Sequence, residues 1–144
     1  MLESAFFILP YRWEEPDKCN DCLREFKTEI NPARVSSYSL CGFSAGGYAV
    51  YANLDVKWKF IGLIDPVPPH SKGEFNLLDD YSARIRGVYN LANWGTPDTA
   101  PLSYAFNAHL KDLGTRMIEK PSKENNHFVM PDLFFNQFGD ELAT

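Results

Sequence analysis

The chain has 144 residues, of which 44% are hydrophobic, 15% aromatic and 23% charged, with a formal net charge of −5. This length implies one domain, large enough to bury a core and too short for two ordinary ones, and the composition excludes a disordered segment. The acidic balance, with no cluster of lysine or arginine, argues against nucleic acid or anionic membrane as the main partner.

The run Met1 to Leu9 has no positive charge ahead of its short apolar stretch and no small-residue cleavage site behind it, so it does not read as a signal peptide. No stretch approaches the roughly 18 apolar residues needed to span a bilayer. The odd number of cysteines, three, fits a reducing compartment better than a disulfide framework, and the expectation is a cytoplasmic protein.

In chain order, residues 5–9 predict an apolar strand ended by Pro10. A helix follows over 17–30, with Cys19, Cys22, Leu23, Phe26 and Ile30 on one face, and Asn31-Pro32 stops it. Residues 35–41 read as a strand rich in β-branched and aromatic side chains, and 45–53 as a helix. The stretch 57–64, ending Phe60-Ile61-Gly62-Leu63-Ile64, reads as a buried parallel strand. Pro66, Pro68 and Pro69 make 65–73 a loop. A short helix over 76–83, a strand over 85–92, a loop over 93–100, a helix over 101–113 stopped by Gly114, and a last strand over 115–119 come next. A polar loop, 121–126, precedes a closing helix over 131–142. The expectation is an α/β fold: one domain over 1–144, in three layers, with a mostly parallel five-stranded sheet built from βα repeats.

In such a sheet ligands bind beyond the carboxyl ends of the strands, which directs attention to the loops at 10–13, 42–46, 65–73, 93–100 and 120–130. One of these holds Gly42-Phe43-Ser44-Ala45-Gly46-Gly47. A Gly-x-Ser-x-Gly run between strand and helix suits a nucleophile elbow, where the serine sits at a strained backbone angle and the flanking glycines leave room that a Cβ would fill. The Ala45 N–H would lie at the start of the helix as an oxyanion donor. A serine hydroxyl then needs a general base and an acid that orients it. His127 follows the last strand, His70 follows the third, and His109 lies inside a helix; His127 is preferred, then His70. Asp98 and Asp65 both fall between Ser44 and His127 in the expected order of nucleophile, acid and base. Asp98 is preferred because its strand would neighbour the one before His127.

With these residues, the chain resembles the catalytic half of an α/β-hydrolase, in particular the small esterase-like members whose elbow reads Gly-x-Ser-Ala-Gly-Gly. The elbow run, the turn Trp94-Gly95-Thr96-Pro97-Asp98-Thr99 and the loop Asn126-His127-Phe128 match the family's nucleophile, acid and base positions in order. The resemblance implies a triad of Ser44, Asp98 and His127, with Asp65 as alternative acid because some members carry it one strand earlier. Family members also have several strands before the elbow strand and an oxyanion loop with a His-Gly or similar signature. This chain shows one strand and no such motif, so the second oxyanion donor is sought at Tyr11, through its N–H or phenol, or at the N–H of Arg12.

A sheet with fewer strands and helices exposes an apolar face of several hundred Å², which implies a homodimer or a docking partner. Coverage by the C-terminal helix through Leu133, Phe134 and Phe138 is the alternative. Cys19-Asn20-Asp21-Cys22 has redox spacing, but helical periodicity puts both sulfurs on the buried stripe. The cysteines and histidines are too scattered for a zinc site, and no phosphate-binding glycine motif is present, so neither metal nor cofactor is expected. The functional expectation is a serine hydrolase acting on a small-molecule or polymer ester. The alternative is a catalytically silent protein of the same fold that serves binding or assembly.

Overall fold

A computed structural model describes residues 8–9, 11–12, 14–29, 37–54, 58–90, 100–119 and 127–143. Among the described residues four strands, β1 (Tyr38–Phe43), β2 (Trp58–Ile64), β3 (Ile85–Tyr89) and β4 (Arg116–Glu119), lie in chain order with every neighbouring pair parallel. Around them are α1 (Pro16–Glu29), α2 (Gly46–Ala52), a run of 3-10 turns over Lys72–Arg84, α3 (Ala100–Asp112) and α4 (Met130–Ala143). Each connection returns the chain beside the strand it has just left, as right-handed βα crossovers do. The fold is thus α/β. The expected first strand, 5–9, lies outside the described residues at 5–7, and Ile8 and Leu9 are exposed and in no strand.

Strand alternation divides the core in two. Leu40, Trp58, Ile61, Leu63, Ile85 and Tyr89 face a layer formed by α1, α2, the 3-10 run and α3, with Leu23, Val50, Leu78, Phe106 and Leu110 buried against them. Ile64 and Val88 face the other way, where Met130, Phe134 and Phe138 of α4 cover them. The apolar face from which self-association was expected is therefore covered over β2 and β3, among the described residues, by α4. A cleft of about 160 Å³ lies on that side, lined by Val88, Ile118, Leu133, Asn136 and Gln137. Close packing of α4 depends on Gly62, where a Cβ would stand 2.5 Å from Cys41 Sγ and 2.7 Å from Phe134 Cζ. The same burial pushes the Cys41 thiol up to about 12.

Polar contacts fix the far end of α4. Arg86, buried in β3, donates from Nε and Nη2 to Glu141 Oε1 at 3.1 and 2.8 Å, and Arg116 Nη1 meets both carboxylate oxygens at 3.0 and 3.1 Å. The two guanidinium groups lie over Phe60 and Phe138 at 4.7 and 5.5 Å. On α1 only part of the expected stripe is buried: Cys19 and Leu23 are inside, whereas Cys22 is exposed. The inward face is set by the i, i+4 pair, and the i+3 position falls on the rim of a groove shared with Leu9, Arg12, Glu15 and Lys18. Among the described residues no helix is long and apolar enough to cross a membrane.

Candidate functional site

β1 runs two residues further than its sequence suggests, because Gly42 and Phe43 pair with Leu63 and Ile64. Only Ser44 and Ala45 then separate it from α2, and so tight a turn forces Ser44 to φ +54. This is left-handed backbone that a serine adopts only where its surroundings over-determine it. Here three hydrogen bonds do so. Ser44 N–H donates to the Ile64 carbonyl at 3.1 Å, and the Ser44 carbonyl accepts from the N–H groups of Gly47 (3.0 Å) and Val67 (2.9 Å). A Cβ on residue 42 would stand 2.4 Å from the Gly46 carbonyl oxygen, so Gly42 is what lets the backbone of the next turn approach. Residue 46 itself has open space where a Cβ would go.

Beside this turn, Asp65 follows β2 as Ser44 follows β1, and it too has a positive φ, +40. Aspartate tolerates that region better than most residues, and a 2.8 Å bond from Asp65 N–H to the Val88 carbonyl holds it there. Its carboxylate is buried, 1% of the residue being exposed, and satisfied on both oxygens. Oδ1 accepts the Asn90 N–H at 3.0 Å, and Oδ2 lies 2.6 Å from His127 Nδ1. His127 sits on a 3-10 turn, His127–Val129, that leads into α4, and its ring stacks on Phe43 at 4.6 Å and 26°. The imidazole is thereby held against the residue preceding Ser44. With Nδ1–H donated to the carboxylate, Nε2 keeps a lone pair able to accept a proton. Burial pushes the Tyr89 phenol far up, with the Asp65 carboxylate adding to the effect.

Among the residues singled out from sequence, the fold brings Ser44, Ala45, Asp65 and His127 to one sheet edge. Ala45 is helical at φ −60 and ψ −21, and among the described residues no acceptor takes its N–H. The Tyr11 ring comes to 6.3 Å from that of Tyr48 on α2. Arg12 is exposed and lines the groove of Cys19 and Cys22. Asp98 lies outside the described residues. His70 stacks on Tyr48 at 4.4 Å, and His109 meets Asp79 at 2.8 Å on α3, so neither is the imidazole that meets Asp65.

Three contributions went unread in the sequence: the Phe43 ring beneath the imidazole, the Asn90 N–H on Asp65, and the Val67 N–H on the Ser44 carbonyl. Each residue lies within two positions of a strand's carboxyl end or of Asp65, which was the available signal. Among the described residues no three His, Cys, Asp or Glu side chains gather as metal ligands would. Comparison of the chain with models of protein families, with curated proteins and with solved structures finds no match.

Proposed function

We propose that the chain is a serine hydrolase of the α/β-hydrolase type, acting on an ester through Ser44, His127 and Asp65. The observation that carries this reading is the 2.6 Å contact between a buried aspartate and an imidazole stacked beside a serine at φ +54 on a strand-to-helix turn. Asp65 takes the acid's role in place of Asp98 because, among the described residues, it is the carboxylate in contact with His127.

In this mechanism Ser44 Oγ attacks the ester carbonyl carbon while its proton passes to His127 Nε2. Asp65 holds the imidazole ring in orientation and stabilises the imidazolium. The negative charge on the former carbonyl oxygen is met by the Ala45 N–H, with Tyr11 or the Arg12 N–H as the second donor. The C–O bond to the alcohol breaks, and His127 gives the alcohol its proton. Water then attacks the acyl-serine, its proton again passing through His127, and a carboxylic acid and free Ser44 result.

A fluorophosphonate probe tests the reading. The wild-type protein should be labelled on Ser44, with labelling abolished by Ser44→Ala and strongly reduced by His127→Ala. A folded wild-type protein that takes no label and hydrolyses no short p-nitrophenyl ester would leave the binding or assembly alternative in its place.

A further inference from the structure

A second group of rings stands at the same sheet edge, on the other side of Ser44 from His127. The His127 imidazole stacks on Phe43, which packs with the α4 layer, whereas Tyr11 and Tyr51 pack with the opposite layer. Between those tyrosines, Tyr48 lies face to face with His70, ring centroids 4.4 Å apart and planes 13° from parallel. Tyr11 approaches Tyr48 at 6.3 Å, and Tyr51 meets it edge-on at 6.2 Å. Helical side chains lean toward their helix N-terminus, so Tyr48, on the first turn of α2, leans toward Ser44.

The segment carrying His70 is tied down on two sides. The Tyr51 phenol donates to the Val67 carbonyl at 2.7 Å, and the Val67 N–H donates to the Ser44 carbonyl at 2.9 Å. Pro68 and Pro69 restrict the backbone between Val67 and His70. His70 itself is exposed and, among the described residues, has no hydrogen bond or ion pair. Its ring rests on Tyr48, and the residue is exposed to solvent. This is a flat, pre-positioned stacking surface that neither the proposed triad nor the core requires.

We propose that Tyr48 and His70 form an acyl-group subsite for a planar aromatic ring, so that the substrate class is an ester of an aromatic carboxylic acid. This rests on the hydrolase reading for its orientation. His127 hands a proton to the departing alcohol, so the alcohol must lie on the His127 side of Ser44. The acyl group then extends from the carbonyl carbon to the opposite side, where the Tyr48 and His70 rings stand. A planar π-system stacks on the exposed imidazole with a gain that a saturated ring of similar size lacks.

The test uses the Ser44→Ala protein, which binds without turnover, titrated with methyl benzoate and with methyl cyclohexanecarboxylate and followed by NMR of the His70 ring protons. The benzoate ester should bind about two- to tenfold more tightly and shift the His70 signals. That preference should vanish when His70→Ala is added and shrink with Tyr48→Leu. Equal affinity for the two esters, or a preference that survives His70→Ala, overturns the proposal. With Ser44 intact, the ratio of kcat/KM for the two esters should fall on His70→Ala. If the hydrolase reading alone is wrong, neither ester is turned over while the aromatic preference in binding persists. If the subsite alone is wrong, both are hydrolysed without discrimination.

Discussion

Asp65→Asn is the substitution that most directly probes the proposed triad, because it preserves shape and reverses one hydrogen bond. The remaining side-chain oxygen can still accept the Asn90 N–H, now 3.0 Å from Oδ1. The new amide N–H₂ would then face His127 Nδ1 across the 2.6 Å contact. An amide donates there, so the imidazole must accept at Nδ1 and carry its proton on Nε2. In that tautomer the ring cannot take a proton from Ser44. Reversing the tautomer of a triad histidine costs about 10⁴-fold in kcat, which corresponds to about 5.5 kcal/mol of barrier. Stability should fall by only about 1 kcal/mol, since a charge-assisted bond becomes a neutral one while packing is retained. The assay is the initial rate of hydrolysis of a short p-nitrophenyl ester, with urea denaturation as the check on folding, and Asp98→Asn measured alongside. A rate for Asp65→Asn within tenfold of wild type, or a loss that falls on Asp98→Asn instead, would refute the reasoning.

Gly42→Ala should destabilise the chain by about 1–3 kcal/mol and remove fluorophosphonate labelling, because its Cβ meets the Gly46 carbonyl oxygen at 2.4 Å and Val50 Cγ2 at 2.8 Å. Gly46→Ala, with open space at its Cβ, should cost less in the same thermal melts and labelling experiments, and the reverse order would contradict the elbow geometry. Glu141→Gln tests the clamp on α4. Hydrogen bonding from Arg86 holds the Glu141 carboxyl below its ordinary 4.5. A depressed folded-state value stabilises the fold above the ordinary value, and that contribution disappears as pH falls through the lowered one. The urea midpoint of the wild type should therefore exceed that of Glu141→Gln at neutral pH, and the gap should close as pH drops below about 4.5.

Strand positions were legible where an apolar run was unbroken, as over 60–64, because burial on both faces demands such runs. The end of β1 was not legible. Glycine reads as punctuation, whereas Gly42 continues the ladder and serves the turn after it. The segment before β3 shows a helical pattern over 76–83 but winds as 3-10 turns over Lys72–Arg84, a difference of hydrogen-bond closure that periodicity over so few residues does not resolve. At the proposed site, Ser44 could be picked out from its Gly-x-Ser-x-Gly run and His127 from its place after the last strand, whereas the choice between Asp65 and Asp98 could not be made from chain order, which both satisfy, and rested on strand adjacency alone. Contact with Asp65 depends on where the imidazole comes to rest. His127 stacks on Phe43 at the end of β1, and β1's neighbour is β2, which Asp65 directly follows.

That dependence gives α4 a second role in the proposed enzyme. Nucleophile and acid come from the ends of adjacent strands, where Phe43 pairs with Ile64 and the Ser44 N–H donates to the Ile64 carbonyl, so their spacing follows from sheet register alone. The base has no such guarantee. It arrives on the turn before α4, and its position follows from how that helix lies on the sheet: Phe134 against Gly62, Phe138 beside Arg116, and Glu141 held by Arg86 and Arg116. A loosened α4 would leave the elbow intact, since the elbow's own hydrogen bonds run to β2 and to the segment after it. The same loosening would carry His127 away from Asp65. Covering the apolar face and completing the proposed triad are therefore one packing event, and two of the contacts that decide it, at Phe138 and Glu141, lie toward the end of the helix opposite the chemistry.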